Sequence, residues 1–143
     1  MVDHRNPPKP PFYNSAKPGQ CRWCGQDILK ADGSINKRAN WHKVCVAEYK
    51  LIHWPNETRK AVYKRDKGIC SKCGHKCAHK YSDVWHLDHI KPLIEAQGDL
   101  NYWKLPNLQT LCQTCHHKKT GAEATARAEA RRVAKLNEPD GSS

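Results

Sequence analysis

Large apolar residues are scarce in this chain. Its 143 residues include one Phe and one Met, and the mean hydropathy is −0.90. So polar a chain needs staples beyond apolar burial. No segment is long and apolar enough to span a membrane, so a membrane partner is not expected. The opening Met1-Val-Asp-His-Arg-Asn-Pro-Pro lacks the apolar stretch of a secretory signal, so an intracellular setting is the expectation. Acids are also in deficit, 14 against 25 Lys and Arg, giving a formal charge of +11. A surface this basic serves solubility or a polyanionic partner, of which nucleic acid is the commonest. The length suits one domain or two very small ones. No internal repeat is visible beyond recurring Cys-x-x-Cys units.

What the chain has is cysteine, eight in all. In a reducing compartment, paired cysteines read as metal ligands before disulfides. Cys21-Arg-Trp-Cys24-Gly25 suits a tight knuckle, and His42 and Cys45 are spaced one turn apart at the start of a helix running to about Ile52. Cys21, Cys24, His42 and Cys45 make a complete zinc set. A surface His42 beside reduced thiols is the alternative. Cys70-x-x-Cys73 and Cys112-x-x-Cys115 form a second, all-thiolate set. Both read as structural zinc sites, because four protein ligands leave no position for water or substrate. Cys77 is left over, and it or His75 can replace an assigned ligand.

The organisation follows from proline, glycine and charge. Residues 1–19 are expected to be a disordered, basic, Pro-rich arm, and 20–55 the N-terminal zinc module. Asn56 is expected to cap a helix from Glu57 to Asp66, carrying Arg59, Lys60, Lys64 and Arg65 and ended by Gly68. A core unit spans 56–120, with a strand at 84–90, a loop at 91–106, a strand at Leu108–Leu111 and a helix from near Cys112. Gly121 is expected to separate a last helix, 122–136, whose Arg127, Arg131 and Lys135 line one face. That helix either lies against phosphates or frays. Residues 137–143 read as tail. The fold class expected is small, zinc-stabilised α+β.

One short stretch concentrates the chemistry: His86-Leu-Asp88-His89-Ile-Lys-Pro-Leu, then Asn107-Leu-Gln-Thr-Leu-Cys112-Gln-Thr-Cys115-His116. Asp88 and His116 can give an oxygen and a nitrogen to a divalent ion. Imidazole, which titrates near neutrality, can take a proton from water at His89. His117 is a lower-ranked ligand, since helical geometry turns it about 100° from His116. Any one histidine alone reads equally well as a packing or surface residue.

These ordered motifs, with Arg65-Asp66-x-Gly68-x-Cys70-x-x-Cys73-Gly74 before them and Lys118-Lys119-Thr120 after, closely resemble the zinc-containing HNH endonucleases over about residues 57–120. The resemblance implies a ββα-metal, treble-clef-like core with an N-terminal zinc knuckle and flanking helices. It implies His89 as general base, Asp88 and His116 as catalytic metal ligands, and Asn107 as a brace for the loop holding the base. It implies a catalytic Mg2+, Mn2+, Ni2+ or Co2+ distinct from the two structural zinc ions. The expected activity is hydrolysis of DNA, by nicking, to 5′-phosphate and 3′-hydroxyl ends. Arg59, Lys60, Lys64, Arg65, Lys91, Lys118, Lys119, Arg127 and Arg131 are the expected DNA contacts. The usual double glycine is reduced here to Gln97-Gly98-Asp99, which bears on loop shape. The chain is expected to act as a monomer or homodimer in the cytoplasm of a bacterial cell, including one infected by phage. The competing expectation is a non-catalytic zinc module that binds nucleic acid.

Overall fold

The computed structural model describes residues 5–137. Its helices are α1 (Lys43–His53), α2 (Pro55–Asp66) and α3 (Gln113–Leu136). Strands β1 (His86–His89) and β2 (Leu108–Leu111) pair as a two-stranded sheet, so the architecture is small α+β. The described residues group into two compact units. The first runs through Lys67 and resumes over His89–Gln109; the second holds Gly68–Asp88 and the residues from Thr110 onward.

By contact, α2 and the 89–109 segment group with the N-terminal residues rather than with the rest of 56–120. The cause is apolar burial. Ile52 of α1, Ala96 and Trp103 form a buried cluster, with Trp23, Leu93, Leu100 and Tyr102 packed against it. Fully burying a large apolar side chain contributes roughly 1.5–3 kcal/mol. A chain poor in such residues gathers the few it has. The expected loop at 91–106 is correspondingly wound into three short 3-10 turns, Leu93–Glu95, Leu100–Trp103 and Leu105–Asn107. The Asp99 carboxylate starts the second turn by accepting from Asn101 N at 3.0 Å.

Also in the first unit, residues 5–19, expected to be a disordered arm, are mostly exposed turns with a few anchoring contacts. Pro10 is buried, Phe12 N donates to Arg22 O at 3.1 Å, and Gly19 N donates to Ala39 O at 3.3 Å. The Arg22 guanidinium lies 4.8 Å from the centre of the Tyr13 ring. Residues 1–4 of that arm lie outside the described residues. Gly25, at φ 74°, closes the first knuckle, and a Cβ there would meet the Phe12 ring at 2.9 Å. Helix α2 starts earlier than expected. Pro55 opens it, since a fixed φ and a missing N–H suit the first turn, and Asn56 lies inside rather than capping. Thr58 Oγ1 donates to Leu51 O at 2.6 Å and Trp54 O at 3.0 Å, stitching the joint between α1 and α2. The helix ends on Lys67, left-handed at φ 57°, one residue before Gly68.

The second unit repeats the knuckle. Cys70 N donates to His75 O at 2.8 Å and Gly74 N to Cys70 O at 2.9 Å, matching Cys21 N to Gln26 O at 2.9 Å and Gly25 N to Cys21 O at 2.8 Å. Ser71 N donates to Thr110 O at 2.9 Å, fastening the knuckle to the chain at β2. Cys112 caps α3 by accepting from Cys115 N at 3.5 Å. Helix α3 then runs unbroken through Gly121, against the expected separation. A glycine costs a helix only about 1 kcal/mol relative to alanine, and the alanines that follow favour continuation. Residues 138–143 of the expected tail lie outside the described residues. Among the described residues, no helix is long and apolar enough to cross a membrane.

Candidate active site and metal centres

Two four-ligand clusters come together as the cysteine spacing requires. In the first unit Cys21, Cys24, His42 and Cys45 place their ligand atoms within 4.8 Å of one another. His42 Nδ1 lies 3.3 Å from Cys24 Sγ and 3.8 Å from Cys45 Sγ, while its Nε2 lies 3.0 Å from Asp27 O. A ring with one nitrogen on the thiols and the other on a carbonyl is arranged as a metal ligand with its outer partner. Burial pushes the Cys21 thiol up, but N–H donors from Cys24, His42 and Trp23 more than offset it and bring the group down to about 6. Burial and the neighbouring Cys21 and Cys24 sulfurs push Cys45 up to about 12.

In the second unit Cys70, Cys73, Cys112 and Cys115 form the other cluster. Cys73 and Cys112 sulfurs lie 3.7 Å apart, beyond any disulfide bond, and all eight cysteines are free. Burial raises the Cys70 thiol, but amides of Cys112, Cys73 and Lys72 outweigh it and set the group at about 6. Contact with Cys112, followed by desolvation, pushes Cys115 up to about 12. Four sulfurs packed this closely are a donor set that fits zinc, which would hold them as thiolates.

Beside this cluster, within the same unit, lies the candidate catalytic pair. Residues two apart on a strand share a face, so His86 and Asp88 of β1 point the same way. Residues three apart on a helix also share a face, and on α3 these are His116 and Lys119. Asp88 Oδ1 lies 3.9 Å from His116 Nε2, and Asp88 Oδ2 lies 3.2 Å from Lys119 Nζ. Asp88 is only 9% exposed. The 3.9 Å separation is too long for a hydrogen bond. It is shorter than two metal–ligand bonds of about 2.0–2.2 Å laid end to end, so one cation fits between the two groups. The His116 ring stacks on His86, with centroids 4.8 Å apart and planes 2° from parallel. His116 Nδ1 is buried with no hydrogen-bond partner among the described residues. Lys119 also pairs with Glu123. Burial works against the Lys119 charge, but Glu123 and Asp88 outweigh it and raise the ammonium above its ordinary value.

The other two motif residues belong to the first unit. His89, next in the chain after Asp88, is half-buried at the end of β1. Asn107 is buried, and its side chain grips the backbone just beyond His89. Its Oδ1 accepts from Lys91 N at 2.8 Å, and its Nδ2 donates to Lys91 O at 3.2 Å and Tyr102 O at 2.7 Å. Asn107 O also accepts from Ile90 N at 2.8 Å.

The expected DNA contacts divide. Arg59, Lys60, Lys64, Lys91, Lys118 and Arg131 are exposed, and Arg127 is half-buried. Lys119 is held by two carboxylates. Arg65 is exposed as well, but its guanidinium is engaged, donating to Leu105 O at 2.9 Å, to Leu108 O at 2.6 Å and twice to Asp66. Sequence reasoning missed His86 and Glu123. The spacing His86-x-Asp88 on a strand and the four-residue interval from Lys119 to Glu123 were the available signals.

The HNH endonuclease family model matches residues 70–121. The chain is 45% identical over 96 residues to the "Probable HNH endonuclease" of Lactococcus phage SK1, covering 66% of this chain and 82% of that protein. This chain belongs to the HNH endonuclease family. It is also 43% identical over 49 residues to mouse "DNA annealing helicase and endonuclease ZRANB3" and 44% identical over 48 residues to its human counterpart, in each case 34% of this chain. It spans about 4% of the length of those relatives. No solved structure matches the chain.

Proposed function

We propose that this chain is a metal-dependent endonuclease that hydrolyses DNA phosphodiester bonds, cutting one strand per event. The observation that carries the reading is the meeting of a buried carboxylate and an imidazole, Asp88 Oδ1 and His116 Nε2, at a spacing that suits one cation. A divalent ion bound there supplies Lewis-acid stabilisation of charge on the phosphoryl oxygens and on the leaving 3′-oxygen. The chain's own residues do the rest. Asp88 and His116 are the groups that would hold the ion. His89 Nδ1 or Nε2 takes the proton from the attacking water, leaving 5′-phosphate and 3′-hydroxyl products. Asn107 fixes Ile90 and Lys91, and so the direction in which the chain leaves His89. The exposed cations Arg59, Lys60, Lys64, Lys91, Lys118 and Arg131 attract the polyanion, with affinity that falls as salt rises. DNA is favoured as substrate by the similarity to the ZRANB3 DNA annealing helicase and endonuclease and by the +11 charge. A bacterial, phage-associated setting is favoured by the phage relative.

The test is nicking of supercoiled plasmid across Mg2+, Mn2+, Ni2+ and Co2+. His89→Ala should lose at least about a hundredfold in rate, the lower range for a general base, with zinc content unchanged. His116→Ala should raise the divalent ion concentration needed. Plasmid binding without cutting under every ion would return the chain to the non-catalytic, nucleic-acid-binding reading.

A further inference from the structure

Cys77 is the one cysteine that neither four-ligand cluster uses. It is nevertheless placed with partners, all in the second unit. Cys77 Sγ, a ring nitrogen of His75 and a carboxylate oxygen of Asp83 lie within 4.8 Å of one another. His75 Nε2 is 2.7 Å from Asp83 Oδ1. Asp83 Oδ2 is held separately, accepting from Ala78 N at 3.0 Å, so the carboxylate is aimed rather than loose. The chain turns back to achieve this: His79 N donates to Asp83 O at 3.1 Å and Asp83 N to Lys80 O at 2.7 Å, and His79 takes a left-handed φ of 60°. Cys77 is 3% exposed, while His75 is half exposed and Asp83 about a third exposed, and these two line a cavity of about 400 Å³ together with Ser82, Lys118 and the cluster cysteines Cys73, Cys112 and Cys115.

An ion pair between His75 and Asp83 accounts for two of these groups. It does not account for a buried sulfur brought to the same point. Nitrogen, sulfur and oxygen donors together select a borderline-soft divalent ion, and three protein ligands leave a fourth position for water. We propose that His75, Cys77 and Asp83 form a third cation site, of the zinc class, whose open position faces the cavity. It ties the 77–83 loop to the Cys70–Gly74 knuckle. It is independent of the nuclease reading, because it shares no residue with Asp88, His89, Asn107 or His116.

The test uses the full chain, stripped of metal under reducing conditions and titrated with Co2+. The thiolate-to-cobalt absorption band counts only cysteine-bound ions, so occupancy at Asp88 and His116 adds nothing to it. The wild-type chain should take up one more band-forming equivalent than Cys77→Ser, and Asp83→Asn should lower the affinity of that equivalent alone by tenfold or more. Circular dichroism of each zinc-loaded variant separates ligand loss from misfolding, and His75→Gln provides a further variant if Cys77→Ser does not fold. Equal uptake by wild type, Cys77→Ser and Asp83→Asn overturns the proposal and leaves a plain ion pair. So does a Cys77→Ser chain with weakened uptake at the four-cysteine cluster beside an unchanged Asp83→Asn, which makes Cys77 a spare ligand there.

Discussion

Asn107 offers the sharpest separation of bracing from chemistry. Its side chain makes three hydrogen bonds to backbone groups, at 2.8, 3.2 and 2.7 Å, from a position only 9% exposed. Truncation in Asn107→Ala strands Lys91 N, Lys91 O and Tyr102 O. Each bond contributes about 0.5–1.5 kcal/mol net, and each buried group left unpaired costs about 1–3 kcal/mol. Water entering the vacated space recovers part of this, so a loss of about 2–4 kcal/mol is expected, or on the order of 10 °C in Tm. Asn107→Asp is the discriminating variant. It keeps an acceptor for Lys91 N but sets a carboxylate oxygen against the carbonyls of Lys91 and Tyr102, and so should be no more stable than the alanine variant. Thermal unfolding of zinc-loaded protein measures the stability. Single-turnover nicking, at a temperature where each variant is folded, measures the chemistry. Both variants should lose activity with bound zinc unchanged. A fully active Asn107→Ala chain melting within about 1 °C of wild type would refute the reasoning, since that shift is only a few tenths of a kcal/mol.

Arg65→Lys keeps the charge but gives up the fork that reaches Leu105 O, Leu108 O and Asp66, and should cost about 1–2 kcal/mol in denaturant melts; unchanged stability with weakened DNA binding would return Arg65 to the backbone contacts. Burial holds the His53 imidazole below its ordinary value, between the Tyr49 and Trp23 rings. With the folded value depressed, His53's contribution is present above the unfolded pKa of about 6.5 and is lost as pH falls through the folded value. Melting curves of His53→Phe should therefore decline less steeply than wild type below about pH 6.5. Removal of divalent ions by a weak chelator should stop nicking with helicity intact, whereas a strong zinc chelator should unfold the chain, as circular dichroism will read.

Much of the site was legible because coordination chemistry is strict about spacing. Cys-x-x-Cys followed by glycine specified both knuckles, and β2 was readable at Leu108–Leu111. Punctuation residues misled where tertiary packing outweighed a small local preference. The prolines of residues 5–19 sit on a segment of turns held at Pro10, Phe12 and Gly19, and Gly121 lies mid-helix. The grouping of 89–109 with α1 was not legible, because it depends on Ile52, Ala96 and Trp103 meeting across a long stretch of sequence. The His86–His116 stack was hidden for a similar reason, since neither residue's local context signals the other.

Cys112 is both a candidate ligand and the residue that caps α3. The helix that carries His116 therefore begins on a thiol whose partners, Cys70 and Cys73, leave the ribosome well before it. During synthesis, the early knuckle must wait with two uncommitted sulfurs until the later pair emerges to complete a set that could hold an ion. A chain starved of a metal ion is therefore expected to leave the first turn of α3, on which His116 stands, without its anchor.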